Sequence, residues 1–267
     1  MLFFIGSDNM LSLEKINEFL SVGLKSAQIE LFEEISSTNT YLKEKGAERE
    51  EMSVAVASKQ TAGKGRLGRS FYSPQESGVY FSVLLKPTLA IDKAILITTA
   101  AAVAVTRALE LLGQKNSKIK WVNDVFVNNK KVCGILTESV INLEAKALDF
   151  AVLGVGINLL EPKNGFPEEI SSIAGAAFTE QKPFLKERFI AEFLNEFYKI
   201  YVKLDEAEFM QEYKDKCFCI GKEISVISGD TVRQGTAISV DENARLLVKF
   251  SDDSKEFISS GEISIKI

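Results

Sequence analysis

The apolar positions of this chain change their period along its length. Leu11–Ser21 (LSLEKINEFLS) spaces them at helical intervals and predicts a short helix. Ile29–Ile35 reads as a strand, and Ser37 or Thr38 offers a cap for a helix ending near Gly46. Met52–Ser58 (MSVAVAS) is a β-rich run, and Gly78–Lys86 (GVYFSVLLK) is a second strand closed by Pro87. Ile91–Leu112 is apolar on most faces and stops at Gly113, the signature of a core helix. Lys118–Val122 reads as a strand. Val125–Val127 and Lys131–Glu138 flank Asn128-Asn129, a hairpin turn pair. Leu148–Val155 is a strand ending in Gly154-Val155-Gly156. Pro162–Thr179 is loop-like, and Pro183–Leu204 and Glu206–Asp215 have amphipathic helical spacing.

After Cys217 the period shortens to that of strands: Glu223–Ile227, Thr231–Val240, Arg245–Phe250, Glu256–Ile258 and Ile263–Ile267. Polar turns separate them, so about fifty residues form a meander, a small barrel in outline. The pattern divides the chain into a helical extension (1–28), a large domain (29–216) and a C-terminal β domain (217–267). Hairpins mixed with helices, without regular βαβ alternation, predict an α+β class with a mixed sheet.

Composition narrows the function. The 267 residues are 46% hydrophobic and carry a net charge of −5. A dedicated nucleic-acid binder carries a basic surplus, so no nucleic-acid partner is expected. Histidine is absent, which removes Ser-His-Asp hydrolysis, His-activated cysteines and His-ligated zinc. Cys133, Cys217 and Cys219 fit no zinc spacing and read as free thiols of a reducing, cytoplasmic compartment. MLFFIGSDNM turns polar too soon for a signal peptide, and Ala94–Val105 is shorter than a membrane span, so no membrane is expected.

Candidate chemistry concentrates in four places. Gly63–Arg69 (GKGRLGR) contains G-x-G-x-x-G, but Ser70-Phe71-Tyr72-Ser73-Pro74 and then a strand follow it, not the helix of a dinucleotide site. It also lacks the Gly-Lys-Ser/Thr of a phosphate-binding P-loop. What remains is an anion cradle: glycines let amides approach closely, while Lys64, Arg66 and Arg69 supply cations. Lys120-Trp121-Val122-Asn123-Asp124 offers oxygen ligands for ribose or Mg²⁺ at a strand end. Lys130-Lys131 sits on a hairpin, and Gly134 within a strand signals a bulge or close backbone approach. In Gly154-Val155-Gly156-Ile157-Asn158, spacing leaves open whether Asn158 meets a structural partner or a ligand.

Taken together, Ser37-Thr38-Asn39, Gln60 with Gly63–Arg69, Lys120–Asp124, Lys131-Val-Cys-Gly-Ile-Leu136, Gly154–Asn158 and the terminal Ser260-Gly-Glu-Ile-Ser264 resemble the biotin protein ligase family. The resemblance implies a catalytic domain related to class II synthetases, with an SH3-like C-terminal barrel. It implies activation of biotin with MgATP to biotinyl-5′-AMP, then transfer to one lysine of a biotin carboxyl carrier protein. Biotin would be bound by Ser37, Thr38, Asn39, Gln60, Lys64, Gly65, Arg66, Lys131, Gly134 and Gly154. ATP would be served by Arg66, Arg69, Asn123, Asp124, Lys131, Asn158 and Lys266, with Arg66 and Lys131 catalytic and Mg²⁺ arriving with the nucleotide rather than in a protein metal centre. Three positions depart from the family pattern: Val122 where Pro is frequent, Phe71 where Trp is common, and Lys266 where an Arg reaches ATP. Only some 28 residues precede the first core strand, so a form without the DNA-binding domain of repressor-ligases is expected. A homodimer is compatible with the family. The competing readings are a lipoate–protein ligase and a non-catalytic biotin-binding module.

Overall fold

The computed structural model describes residues 11–75, 77–142, 147–259 and 261–265. In chain order its elements are α1 (Leu13–Phe19), β1 (Ile29–Ile35), α2 (Thr38–Lys45), β2 (Val54–Gln60), β3 (Gly78–Leu85), α3 (Ile95–Leu111), β4 (Ser117–Lys120), β5 (Asp124–Val127), β6 (Lys130–Asn142), β7 (Ala147–Asn158), α4 (Glu168–Ser171), α5 (Leu185–Tyr201) and α6 (Met210–Lys216). The C-terminal strands are β8 (Glu223–Ser228), β9 (Thr231–Val240), β10 (Leu246–Phe250), β11 (Lys255–Ile258) and β12 (Glu262–Ile265).

The first seven strands form one mixed sheet in the order β1-β2-β3-β7-β6-β5-β4. β1 and β2 run parallel across α2, one βαβ unit inside an α+β fold, while the other neighbours are antiparallel. Ser37 caps α2 by accepting the Thr40 N–H, and Asn128 and Asn129 both take the left-handed backbone that a tight hairpin turn requires.

Some boundaries differ from expectation. β7 does not end at its glycines but runs through Gly154 and Gly156 to Asn158, because β3 and β6 supply a ladder on both sides. β4 stops at Lys120, so Trp121 and Val122 lie in a turn rather than in extended chain. Ile91–Lys93 is a separate 3-10 turn before α3, and the loop Pro162–Thr179 contains α4.

α3 and α5 cover one face of the sheet. Phe81 of β3 stands edge-on to Phe193, with ring centroids 5.0 Å apart, and also meets Phe189. Each buried phenylalanine contributes about 1.5–3 kcal/mol of transfer energy. Ile91–Leu111 has the length and composition of a membrane-crossing helix. In this fold α3 is buried on nearly every face, which accounts for that composition without a bilayer. α1 packs on α5 through buried Ile16, and Asn195 bridges the Phe19 carbonyl and the Ser21 N–H. On the opposite face α2 seats Leu42 against Ala55, Leu84, Phe150 and Val152.

The last five strands form an antiparallel sheet, β11-β10-β9-β8-β12. It stands on the turn after β4. The Trp121 indole donates to the Ala244 carbonyl at 2.9 Å and the Phe218 N–H to the Ile119 carbonyl at 3.0 Å, while the Tyr213 hydroxyl of α6 holds the same turn through the Val122 carbonyl at 3.1 Å. The three cysteines are buried and unbridged, with Cys217 Sγ 3.2 Å from Cys219 Sγ.

Candidate active site

One register row crosses five strands: Tyr80, Gly156, Gly134, Asp124 and Lys120 are successive partners on β3, β7, β6, β5 and β4. Two-residue spacing puts Gly154 and Asn158 on the same face as Gly156. This face is the floor of a groove. A Cβ on Gly134 or Gly156 would come within 2.9 or 2.6 Å of the Phe71 ring, and one on Gly154 would collide with Asn39. The glycines are therefore required by what lies over them.

The groove wall gathers Ser37, Thr38, Asn39, Gln60, Lys64, Gly65, Arg66, Phe71, Asn123, Lys131, Gly134 and Gly154. Every residue expected at biotin lies here. The Thr38 N–H and hydroxyl reach Gln60 Oε1 at 2.9 and 3.1 Å, and Gln60 Nε2 donates to Ser73 Oγ.

Gly63–Arg69 folds over the groove as a lid. The Gly65 N–H donates to the Arg69 carbonyl at 2.7 Å, and Phe71 N–H to the Gly63 carbonyl at 2.9 Å. Leu67 at the tip is exposed and left-handed. Arg66 donates to Asn123 Oδ1 at 3.1 Å and to the Gly261 carbonyl at 3.0 Å, which closes the lid onto both sheets.

Lys131 Nζ lies 2.7 Å from Asp124 Oδ1. Its backbone bonds Ile173 and Gly175, so the loop between β7 and α5 is stitched beside it. Asn158 Nδ2 donates to the Gly175 carbonyl at 3.3 Å, while its buried Oδ1 has no partner among the described residues. Burial lowers the Lys120 ammonium below its ordinary range, Asp124 and Glu262 oppose that shift, and Lys131 reinforces it.

Arg69, Asp124 and Asn158 thus lie beside the groove rather than in its wall, and Lys266 falls outside the described residues. Three residues emerge that carried no assigned role. Lys120 belongs to the register row. Ser82 of β3 bonds Thr38 and Asn39, and Glu138 of β6 bonds Asn39. The signal for Ser82 was a lone hydroxyl in the apolar run GVYFSVLLK. Glu138 had no comparable signal.

Residues 31–158 match the biotin/lipoate A/B protein ligase family. The chain is 40% identical over 124 residues to the bifunctional ligase/repressor BirA of Bacillus subtilis, which covers 46% of this chain and 38% of that protein. It is 26% identical over 248 residues to the biotin–[acetyl-CoA-carboxylase] ligase of Mycobacterium tuberculosis, covering 86% of each. The biotin protein ligase from Aquifex aeolicus in complex with biotin and ATP superposes with a TM-score of 0.71 at 27% identity, over 90% of this chain and 98% of that one.

Proposed function

We propose, from the premise that residues 31–158 form a domain of the biotin/lipoate A/B protein ligase family, that this chain is an ATP-dependent biotin protein ligase. The observation that carries the reading is the groove itself. Polar groups suited to a small ring (Ser37, Thr38, Gln60) share the groove wall with the cations Lys64, Arg66 and Lys131 over a glycine floor.

In the first step a biotin carboxylate oxygen bonds to the α-phosphorus of ATP, and pyrophosphate leaves. Anion meets anion, so the barrier is largely electrostatic. Lys131 and Arg66 are the cations placed to hold the carboxylate and the α-phosphate. Arg66 exchanges its bonds to Asn123 and Gly261 for the mixed anhydride, which also seals the lid against water. Asp124 orients Lys131 through their ion pair. In the second step the neutral amine of a carrier lysine attacks the acyl carbon, AMP departs with the bonding pair, and the nitrogen gives up one proton to water as the amide forms.

Asp124 and Asn158 fit a magnesium ion brought by ATP. Both offer hard oxygens beside the groove, and Asn158 Oδ1 is buried without a partner among the described residues. The ion would reduce phosphate repulsion. The acceptor is a biotin carboxyl carrier domain of a carboxylase, the substrate class in the name of the Mycobacterium tuberculosis relative.

ATP–pyrophosphate exchange tests the reading. Exchange should depend on biotin and stay at background with lipoate. Exchange driven by lipoate would favour the lipoate-ligase reading, and binding of biotin without exchange would favour a non-catalytic module.

A further inference from the structure

The ring-binding end of the groove has a hydrogen-bond direction that can be worked out atom by atom. Thr38 N–H donates to Gln60 Oε1, which fixes that amide. Asn39 Nδ2 faces two pure acceptors, Glu138 Oε2 at 3.1 Å and the Leu136 carbonyl at 3.4 Å, which fixes the second amide. Asn39 Oδ1 can then only accept, so the single proton of buried Ser82 goes to it, at 2.6 Å. Ser82 Oγ becomes an acceptor for Thr38, at 2.7 Å. The one Thr38 proton is then spent on Ser82 Oγ, inside the protein, and the 3.1 Å contact with Gln60 Oε1 has no second proton to use. Toward the groove Thr38 Oγ presents lone pairs only. Ser37 is the complement: as the α2 cap it accepts the Thr40 N–H, and that bond leaves its own proton unused.

We propose that Glu138 is a specificity-determining residue: acting through Asn39 and Ser82, it sets this direction so that the groove end selects a cyclic urea, whose N–H and C=O sit side by side. The inference rests on the biotin reading and deepens it. Glu138 is a positioning residue, since the chain of bonds separates it from the ligand. Asn39, which lies in the groove wall, also bonds the protein through both ends of its amide. Burial would raise the Glu138 carboxyl, but bonds from Asn39 and Lys43 and the charges of Lys43 and Lys64 outweigh it and keep the group ionised. A dithiolane has no N–H to offer Thr38. A buried acceptor facing an acceptor leaves both unsatisfied, which costs far more than a missing contact.

Titration calorimetry tests this with biotin and with the two cyclic-carbamate analogues in which one ureido N–H is replaced by O. Shape is conserved and only a donor becomes an acceptor. Wild type should bind biotin and reject at least one carbamate by about a hundredfold. Glu138→Gln keeps an acceptor for Asn39 and should retain both values to within about threefold. Glu138→Met frees the Asn39 amide to turn, which releases a proton toward the groove. Biotin should weaken about tenfold, and the discrimination should shrink by a similar factor. Equal binding of biotin and both carbamates by wild type overturns the proposal whether or not the variants fold. So does an unchanged ratio in a folded Glu138→Met, or a Glu138→Gln as impaired as Glu138→Met. If wild type binds no biotin at all, the biotin reading itself fails.

Discussion

Arg69 and Glu262 form a two-pronged ion pair, 2.8 and 2.7 Å, that ties the lid after β2 to the last strand of the small sheet. Arg66 makes the neighbouring tie to Gly261. The small sheet is therefore part of the lid's latch, not an appendage.

Arg69 is exposed and Glu262 half-buried, so Glu262→Ala should cost about 1 kcal/mol of stability. Its effect should appear in the lid. Release of preformed adenylate should accelerate several-fold, and wild type should approach the variant at high salt, where the pair is screened. Rapid filtration of adenylate-loaded protein measures this.

Arg66→Gly should leave the melting temperature nearly unchanged, because Arg66 lies in a lid rather than in the core. In the proposed role Arg66 is the main donor to the acyl-phosphate, so adenylate formation should fall by about 10²–10³-fold. Single-turnover kinetics beside a thermal melt separate the two effects.

Gly154→Ala places a methyl group against the Asn39 amide. The amide cannot retreat without giving up Ser82 and Glu138. Stability should drop by about 1–3 kcal/mol and biotin affinity should fall with it. Chemical denaturation and biotin titration check both.

Lys120 gives a pH prediction. Its folded-state pKa lies below the ordinary 10.5, chiefly through burial. Between the folded value and 10.5 the unfolded chain binds more protons, so stability rises with pH across that window. Below the window both states are charged, and the full cost of burying the ammonium is present. Lys120→Met should therefore raise the melting temperature at neutral pH and abolish the alkaline rise. Melting curves from pH 7 to 11 read the slope directly.

Much of this was legible in the chain because the signals were local. Of the two expected caps, Ser37 and Thr38, Ser37 caps α2; Asn128-Asn129 turns the hairpin; and of the bulge or close approach expected at Gly134, the Phe71 ring makes the close approach. The errors came where distant partners overrule local preference. Gly154 and Gly156 read as a strand end, yet ladders from β3 and β6 carry β7 past them. Glu138 was illegible because its meaning lies in Asn39, 99 residues earlier in the chain, and in a proton on Ser82 that no spacing encodes.

The function proposed for this groove ends in the transfer of biotin to a protein lysine. Intact-mass and peptide spectrometry of a biotin carboxyl carrier domain, incubated with the chain, biotin and MgATP, reads that transfer. One biotinyl group on one lysine per carrier is expected, dependent on ATP and lost with Arg66→Gly. An unmodified carrier, or a carrier that takes up lipoate in preference to biotin, would contradict it.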